Sequence, residues 1–249
     1  MLEQTMDRLN QLKLHGMASE LERQIQLPDS AGLSFEERFS LIVDMEATSR
    51  ENRRLGRLIK GARLREAALI EDIDFRASRG LERSVVITLG ACDWIRQHHN
   101  LIVTGPTGAG KTFVACALAN SALRQGLPAV YYRSPRLLSE LGGARADGSY
   151  AKLLRKLAKT ELLVIDDWGL NALSETERRD ILEVVEDRYK LRSTIVVSQI
   201  PVDRWHETIG SPTIADAILD RLIHNAYKIT LKGGSMRKSM SDLTHSVQL

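Results

Sequence analysis

Apolar runs and helical stripes alternate over most of the chain. Leu101-Ile102-Val103-Thr104, Ala129 to Tyr132, Leu162 to Ile165, Ser193 to Val197 and Tyr227 to Leu231 are short and largely apolar, and each predicts a strand. Between them, apolar residues recur three and four apart. Phe113 to Gln125 is one such stripe, closed by Gly126. Ser134 reads as an N-cap with Pro135 at the first helical position, and Gly142-Gly143 and Asp147-Gly148 bracket an expected flexible loop. Ser149 is expected to cap a basic helix with Lys152, Arg155, Lys156 and Lys159. Ser174-x-x-Glu177 is a capping box for a helix over Glu175 to Lys190, and Thr213 to Asn225 is a further helix. Upstream, Leu81, Val85, Val86, Leu89, Cys92 and Ile95 keep helical spacing despite two adjacent β-branched residues. Strands alternating with helices predict an α/β fold whose parallel sheet is covered on both faces.

Residues 1 to about 74 differ in texture, being helical and charged. Leu9, Leu12, Met17, Leu21 and Ile25 form a loose apolar face, Pro28 to Gly32 a break, and Ser34 with Glu37 a capping box. The expected organisation is a small helical domain over 1–72, an α/β domain over 73–240 and a polar tail over 241–249. Within the helical part, Arg50, Arg53, Arg54, Arg57, Lys60, Arg63 and Arg65 stand against a single acid, Glu51. At about 100° per residue, all of these bases except Arg63 fall within an arc of roughly 140°. Leu55, Leu58, Ile59 and Ala62 line the other side. An ordinary solvated face is one reading. The shortage of acids favours the other, in which Arg50, Arg53, Arg54, Arg57 and Lys60 meet the phosphates of DNA.

Composition narrows the picture only slightly. The chain has 249 residues, 43% of them hydrophobic, enough for a substantial core. A balance of 35 bases to 32 acids, net +3, does not by itself mark a nucleic-acid binder. Cys92 and Cys116 have no CxxC neighbour, so a cysteine metal site is not expected. Two thiols and no apolar run of about 18 residues lead to an expectation of a cytoplasmic protein without a membrane span or signal peptide.

The chemistry centres on Gly105-Pro106-Thr107-Gly108-Ala109-Gly110-Lys111-Thr112, a G-x-x-x-x-G-K-T loop between a strand and a helix. Glycines let backbone N–H groups turn inward around phosphate oxygens, and the helix N-terminus adds positive potential. This cradle is expected to run on to Phe113. Lys111 is expected to reach the β- and γ-phosphates and the Thr112 hydroxyl to hold Mg²⁺. Farther on, the apolar run over 162–165 ends in Asp166-Asp167. Asp166 is assigned to the metal and Asp167 to orienting and deprotonating the attacking water. Ser198-Gln199 ends the next strand and is expected beside the γ-phosphate. Phe75 is read either as an adenine contact or as a core or hinge aromatic.

Phosphate loop, tandem acids and a polar strand end together resemble the AAA+ ATPases, and within them the IstB/DnaC group, over residues 73 to 238. The strings Leu163-Val164-Ile165-Asp166-Asp167-Trp168-Gly169, Val197-Ser198-Gln199-Ile200-Pro201, Trp205-His206-Glu207, Asp220-Arg221-Leu222 and Gly234-Ser235-Met236-Arg237-Lys238 carry the resemblance. Asp-Asp-Trp-Gly, Ser-Gln-Ile-Pro and Ser-Met-Arg-Lys look more like IstB, the helper ATPases of insertion sequences, than like the replicative helicase loaders. The resemblance implies sheet order 5-1-4-3-2, ATP and Mg²⁺ as ligands, a homo-oligomer with ATP at subunit interfaces, duplex DNA bound with low sequence specificity, and a transposase as partner. It implies that Gln199 with Ser198 is the first sensor, Arg221 an arginine finger reaching a neighbour's ATP, and Arg237 the second sensor. A salt bridge to Asp216 or Asp220 is the plainer reading of Arg221. Asp167 stands where AAA+ proteins more often have Glu, and Gln199 where Asn is commoner; the shorter acid implies slow or assembly-dependent hydrolysis. Alternative readings are a DnaC-type helicase loader and a P-loop kinase acting on a small molecule.

Overall fold

The computed structural model describes residues 2–27, 32–76, 79–234 and 236. The expected break over 28–32 lies, except for Gly32, outside them, as do Arg237 and the tail. The chain forms two compact units, Met1–Leu58 and Ile59–Leu249.

In the first unit α1 (Leu2–Gln11) and α2 (His15–Gln26) are joined at Lys13, whose φ of 60° lies in the left-handed region. α3 (Phe35–Ala62) opens with the predicted capping box: the Ser34 N–H donates to Glu37 Oε2 at 2.8 Å, and the Glu37 N–H to Ser34 Oγ at 3.2 Å. The expected apolar face is incomplete, since Leu12 and Ile25 are exposed. Polar contacts and close backbone packing do more of the joining. The buried Glu46 carboxylate accepts the N–H groups of Gly16 at 2.7 Å and Met17 at 3.3 Å, so α3 caps the start of α2. A Cβ on Gly16 would lie 2.6 Å from the Met45 carbonyl oxygen, so only glycine permits that approach.

The second unit is built on five parallel strands: β1 (Asn100–Thr104), β2 (Ala129–Arg133), β3 (Leu162–Trp168), β4 (Ser193–Ser198) and β5 (Ala226–Thr230). Their order is β2-β3-β4-β1-β5, the expected 5-1-4-3-2 arrangement. The helices are α4 (Arg83–Gly90), α5 (Asp93–Arg96), α6 (Lys111–Arg124), α7 (Ser134–Ala146), α8 (Tyr150–Lys159), α9 (Glu175–Arg188), α10 (Trp205–Ile209) and α11 (Pro212–Ile223). Alternate strand residues feed the two faces. Ile102, Val130, Tyr132, Leu163, Ile165 and Val196 form one core with α7, α8, α9, α10 and α11. α6 packs on strands β1 to β4, with α4 against it.

Three local expectations are corrected and a fourth is met in part. Gly142 and Gly143 lie inside α7, not in a loop, because Leu137, Leu138, Leu141 and Ala144 form a continuous buried stripe that outweighs the glycine cost. α7 also begins at Ser134 itself with Arg133 as its cap, and Ser149 caps α8 without a side-chain hydrogen bond. Ile59, placed on an apolar face, is 43% exposed, whereas Ala62 is fully buried. The capping box at Ser174 and Glu177 forms as read.

Candidate active site

The site lies at the carboxyl ends of β1, β3 and β4, where an open parallel sheet leaves a crevice. The phosphate loop leaves β1 at Gly105 and enters α6 at Lys111. Gly105, Gly108 and Gly110 take φ of 145°, 83° and 91°. At Gly105 a Cβ would also collide with the Leu231 carbonyl oxygen. The loop thus follows a path that L side chains resist. It borders a cavity of about 790 Å³ whose lining includes Lys111, Thr112, Phe113, Asp166, Asp167 and Gln199. The Lys111 ammonium donates to the Pro106 carbonyl at 2.8 Å, across the mouth of the loop.

β3 supplies both acids, but in different settings. Ile165 pairs with Val196 and Trp168 with Ser198, so β3 carries one extra residue there, a β-bulge. Within it Asp167 takes φ 59°. Neighbours on a flat strand would point to opposite faces; here both acids border the cavity. Asp166 is buried. Its Oδ2 accepts from the Thr112 hydroxyl at 2.8 Å and the Tyr131 hydroxyl at 2.7 Å, and its Oδ1 from the Asp167 N–H at 2.7 Å. Burial, then the bond to Asp166, keeps the Tyr131 hydroxyl protonated to high pH. Asp167 is held by Arg133 (Nε to Oδ2, 2.6 Å), with Arg65 Nη1 at 3.9 Å. The Tyr131 hydroxyl beside Arg65, assisted by Asp166 and Asp167, raises the Arg65 pKa.

Thr112 and Asp166 form an oxygen pair at a buried carboxylate. That donor set fits Mg²⁺, which takes one or two protein oxygens and completes its shell with phosphates and water. Among the described residues no cluster of three or more His, Cys, Asp or Glu offers a protein-only metal cage.

The other predicted residues divide. Gln199 is in the cavity, its Oε1 accepting from the Thr107 hydroxyl at 2.6 Å. Ser198 is not: it is fully buried, donates to the Trp168 carbonyl at 2.8 Å and accepts from the Ile200 N–H at 3.0 Å, so it builds the strand end instead of touching a ligand. Phe75 does not line the phosphate-loop cavity itself but an adjoining hollow with Ile70, Arg83 and Ile87, which shares Asp72 and Asp74 with that cavity. Arg221 is outside the cavity too. Its carbonyl accepts from the Asn100 side chain, at the first residue of β1, so it sits at the amino end of that strand, opposite the end that leads into the phosphate loop. The Arg221 guanidinium donates to Glu186 Oε1 at 2.9 Å and the Ala217 carbonyl at 2.8 Å, rather than to Asp216 or Asp220. Arg65, Tyr131 and Arg133 join the site although no motif marks them for it. The end of β2 lies in register with the end of β3, Arg133 opposite Asp166, so the sheet order was the available signal.

In the first unit, Arg50, Arg53, Arg54 and Arg57 line one hollow together with Lys13 from the α1–α2 turn. Glu46 Oε1 pairs with Arg50 at 2.7 Å and Arg53 at 3.3 Å. Lys60, also exposed, belongs to the second unit.

The chain is similar to known proteins over almost its whole length. The family model described as "IstB-like ATP binding protein" matches residues 7–244. An insertion sequence ATP-binding protein of Sinorhizobium fredii is 47% identical over 94% of this chain and 96% of its own length. The ATP-binding protein of insertion sequence IS1162 from Pseudomonas fluorescens is 52% identical over 86% of this chain and 92% of its own length. Among solved structures, DnaI superposes with TM-score 0.58 at 21% identity, covering 66% of this chain and 91% of that one. The DnaC helicase loader does so with TM-score 0.56 at 19% identity, covering 66% and 97%. At that identity the likeness shows the fold, the P-loop AAA+ fold.

Proposed function

From a chain that belongs to the IstB-like ATP-binding family, we infer an ATP-hydrolysing helper of insertion-sequence transposition in the cytoplasm. In this reading it assembles on duplex DNA, reshapes or selects the target, and recruits or stimulates a transposase. The observation that carries it is the 2.8 Å contact between Thr112 and Asp166, which ties the phosphate loop to the strand-end acid in the cavity that also holds Asp167 and Gln199.

The roles follow from position. The loop from Gly105 to Phe113 surrounds the phosphates with N–H groups, and Lys111 leaves Pro106 to meet the β- and γ-phosphates. Thr112 and Asp166 hold Mg²⁺, which when bound neutralises charge on the phosphate oxygens. Asp167 orients and deprotonates the attacking water once Arg133 releases it. Gln199 positions that water or the γ-phosphate. Arg221, remote from its own phosphate loop, completes a neighbour's site and stabilises phosphate charge only on assembly. Arg237 is proposed as the second sensor.

For DNA, Arg50, Arg53, Arg54 and Arg57 offer forked donors to backbone phosphates and Lys13 beside them a point charge; Lys60, in the second unit, is proposed as a phosphate contact in its own right. Phosphate contacts carry no sequence information, so low specificity is expected. The test is ATP turnover and particle mass with and without duplex DNA. We expect turnover to rise with DNA and large particles to need ATP. A chain that stays monomeric and indifferent to DNA would overturn the reading. Stable capture of a hexameric helicase would favour a loader, and phosphate transferred to a metabolite would favour a kinase.

A further inference from the structure

No motif singles out Arg79, yet it is a buried cation set against the phosphate loop. It is 6% exposed and lines the cavity. Its Nη1 donates to the Ala109 carbonyl at 3.3 Å and its Nη2 to the Asp74 carbonyl at 2.8 Å. Its Nε has no hydrogen-bond partner among the described residues. A Cβ on Gly110 would come within 2.6 Å of Nη1, so the guanidinium lies against the turn that cradles phosphate. The backbone is pinned as well: the Arg79 carbonyl accepts from the Lys232 N–H at 2.8 Å, just after β5.

Two physical facts make this arrangement receptive to an anion, although the Asp74 carboxylate already offsets part of the charge. A buried guanidinium costs free energy unless a counter-charge accompanies it, and carbonyl oxygens satisfy donors without neutralising the cation. Among the described residues, the hydrogen-bond partners of Arg79 are two backbone carbonyls and no carboxylate. The planar fork also keeps donors to spare, since Nη1 and Nη2 each carry a second N–H beyond the one bonded to a carbonyl.

The sheet order tells which part of a nucleotide would meet it. The acids and Gln199 end β3 and β4, on one side of β1; Arg79 is pinned beside the chain leaving β5, on the other side. The phosphate loop follows β1, between them. A triphosphate with its γ end at Asp166, Asp167 and Gln199 therefore runs across the loop with its nucleoside end toward Arg79.

We propose that Arg79 is a nucleotide-binding residue that grips the α-phosphate and ribose end of ATP, and so supports ATP and ADP alike. The proposal rests on the reading of this cavity as the ATP site. It separates Arg79 from Asp166, Asp167 and Gln199, which serve the γ end that hydrolysis removes, and from Lys111, which spans the β- and γ-phosphates.

The test is calorimetric binding of ATP and of ADP to the full chain as wild type, Arg79→Met and Arg79→Lys, with thermal unfolding of each without nucleotide. Wild type that binds neither nucleotide would sink the ATP reading itself. With wild type binding, we expect Arg79→Met to weaken ATP and ADP by the same factor, roughly tenfold to a hundredfold. Its nucleotide-free unfolding temperature should hold or rise, since a desolvated cation is removed, and Arg79→Lys should recover part of the affinity. A purely structural arginine would lower that temperature instead. Wild-type affinity for both nucleotides in Arg79→Met overturns the proposal, as does a loss confined to ATP. Should Arg79→Met not fold, Arg79→Lys decides: folded with equally weakened affinities supports it, folded with wild-type affinities overturns it.

Discussion

Asp166 and Asp167 are adjacent residues with different surroundings. Asp166 is saturated by Thr112, Tyr131 and a backbone N–H, the profile of a fixed ligand. Asp167 is paired with two exposed arginines, Arg133 and Arg65, the profile of a group that can be freed. Its φ of 59° suits an aspartate, since Asp and Asn tolerate left-handed backbone well. Asp167→Asn is therefore conformationally quiet and should trap the ATP-bound assembly on DNA; undiminished turnover would place the base elsewhere. Arg133→Ala should raise turnover measured without DNA, because it removes the side chain that occupies Asp167. The two thiols give a pH prediction. Burial pushes Cys92 and Cys116 up to about 11 from an ordinary 9.0. A raised folded pKa contributes stability that is complete below the unfolded value and lost as pH climbs through the folded one. Denaturant midpoints should thus fall as pH rises from the ordinary thiol value of 9.0 to about 11, and iodoacetamide applied below that range should label neither thiol until the chain unfolds.

At the scale of elements, the α2–α3 contact is the most exacting joint of the first unit. Gly16 touches the α3 backbone, and Glu46 both caps α2 and gathers Arg50 and Arg53. Gly16→Ala should destabilise this unit by about 1–3 kcal/mol, read from the unfolding of its helices by circular dichroism. Elements were the most legible level of the sequence. Five strands came from short apolar runs, and the capping boxes at Ser34 and Ser174 came from spacing alone. Gly142-Gly143 misled because glycine is a local signal, while α7 is held by leucines that meet the sheet. Ser198 misled for a related reason: polarity at a strand end suggested a ligand contact, but its hydroxyl is consumed by Trp168 and Ile200. Arg79 and Arg133 could not be read from any local string, since their meaning depends on segments that only the sheet brings together.

At the scale of the whole molecule, the sheet sets the ATP cavity and Arg221 at opposite ends of β1. Subunits without Arg221 and subunits without Asp167 should each be inactive alone. Mixed, Arg221→Ala protein supplies intact acids and Asp167→Asn protein supplies the arginine, so turnover should reappear at mixed junctions; silence at every ratio would return Arg221 to its bond with Glu186. Charge reversal of Arg53, Arg54 and Arg57 should weaken DNA binding and flatten its salt dependence by roughly 0.9 in log–log slope for each phosphate no longer neutralised. An unchanged slope would return that face to solvent. The separation of Arg221 from its own cavity also bears on how such an assembly ends. A closed circle offers every nucleotide a donor from next door, whereas an open spiral leaves its terminal member waiting. Turnover per protomer would then climb with spiral length and level off, and the curve of rate against particle size would report whether the ends ever meet.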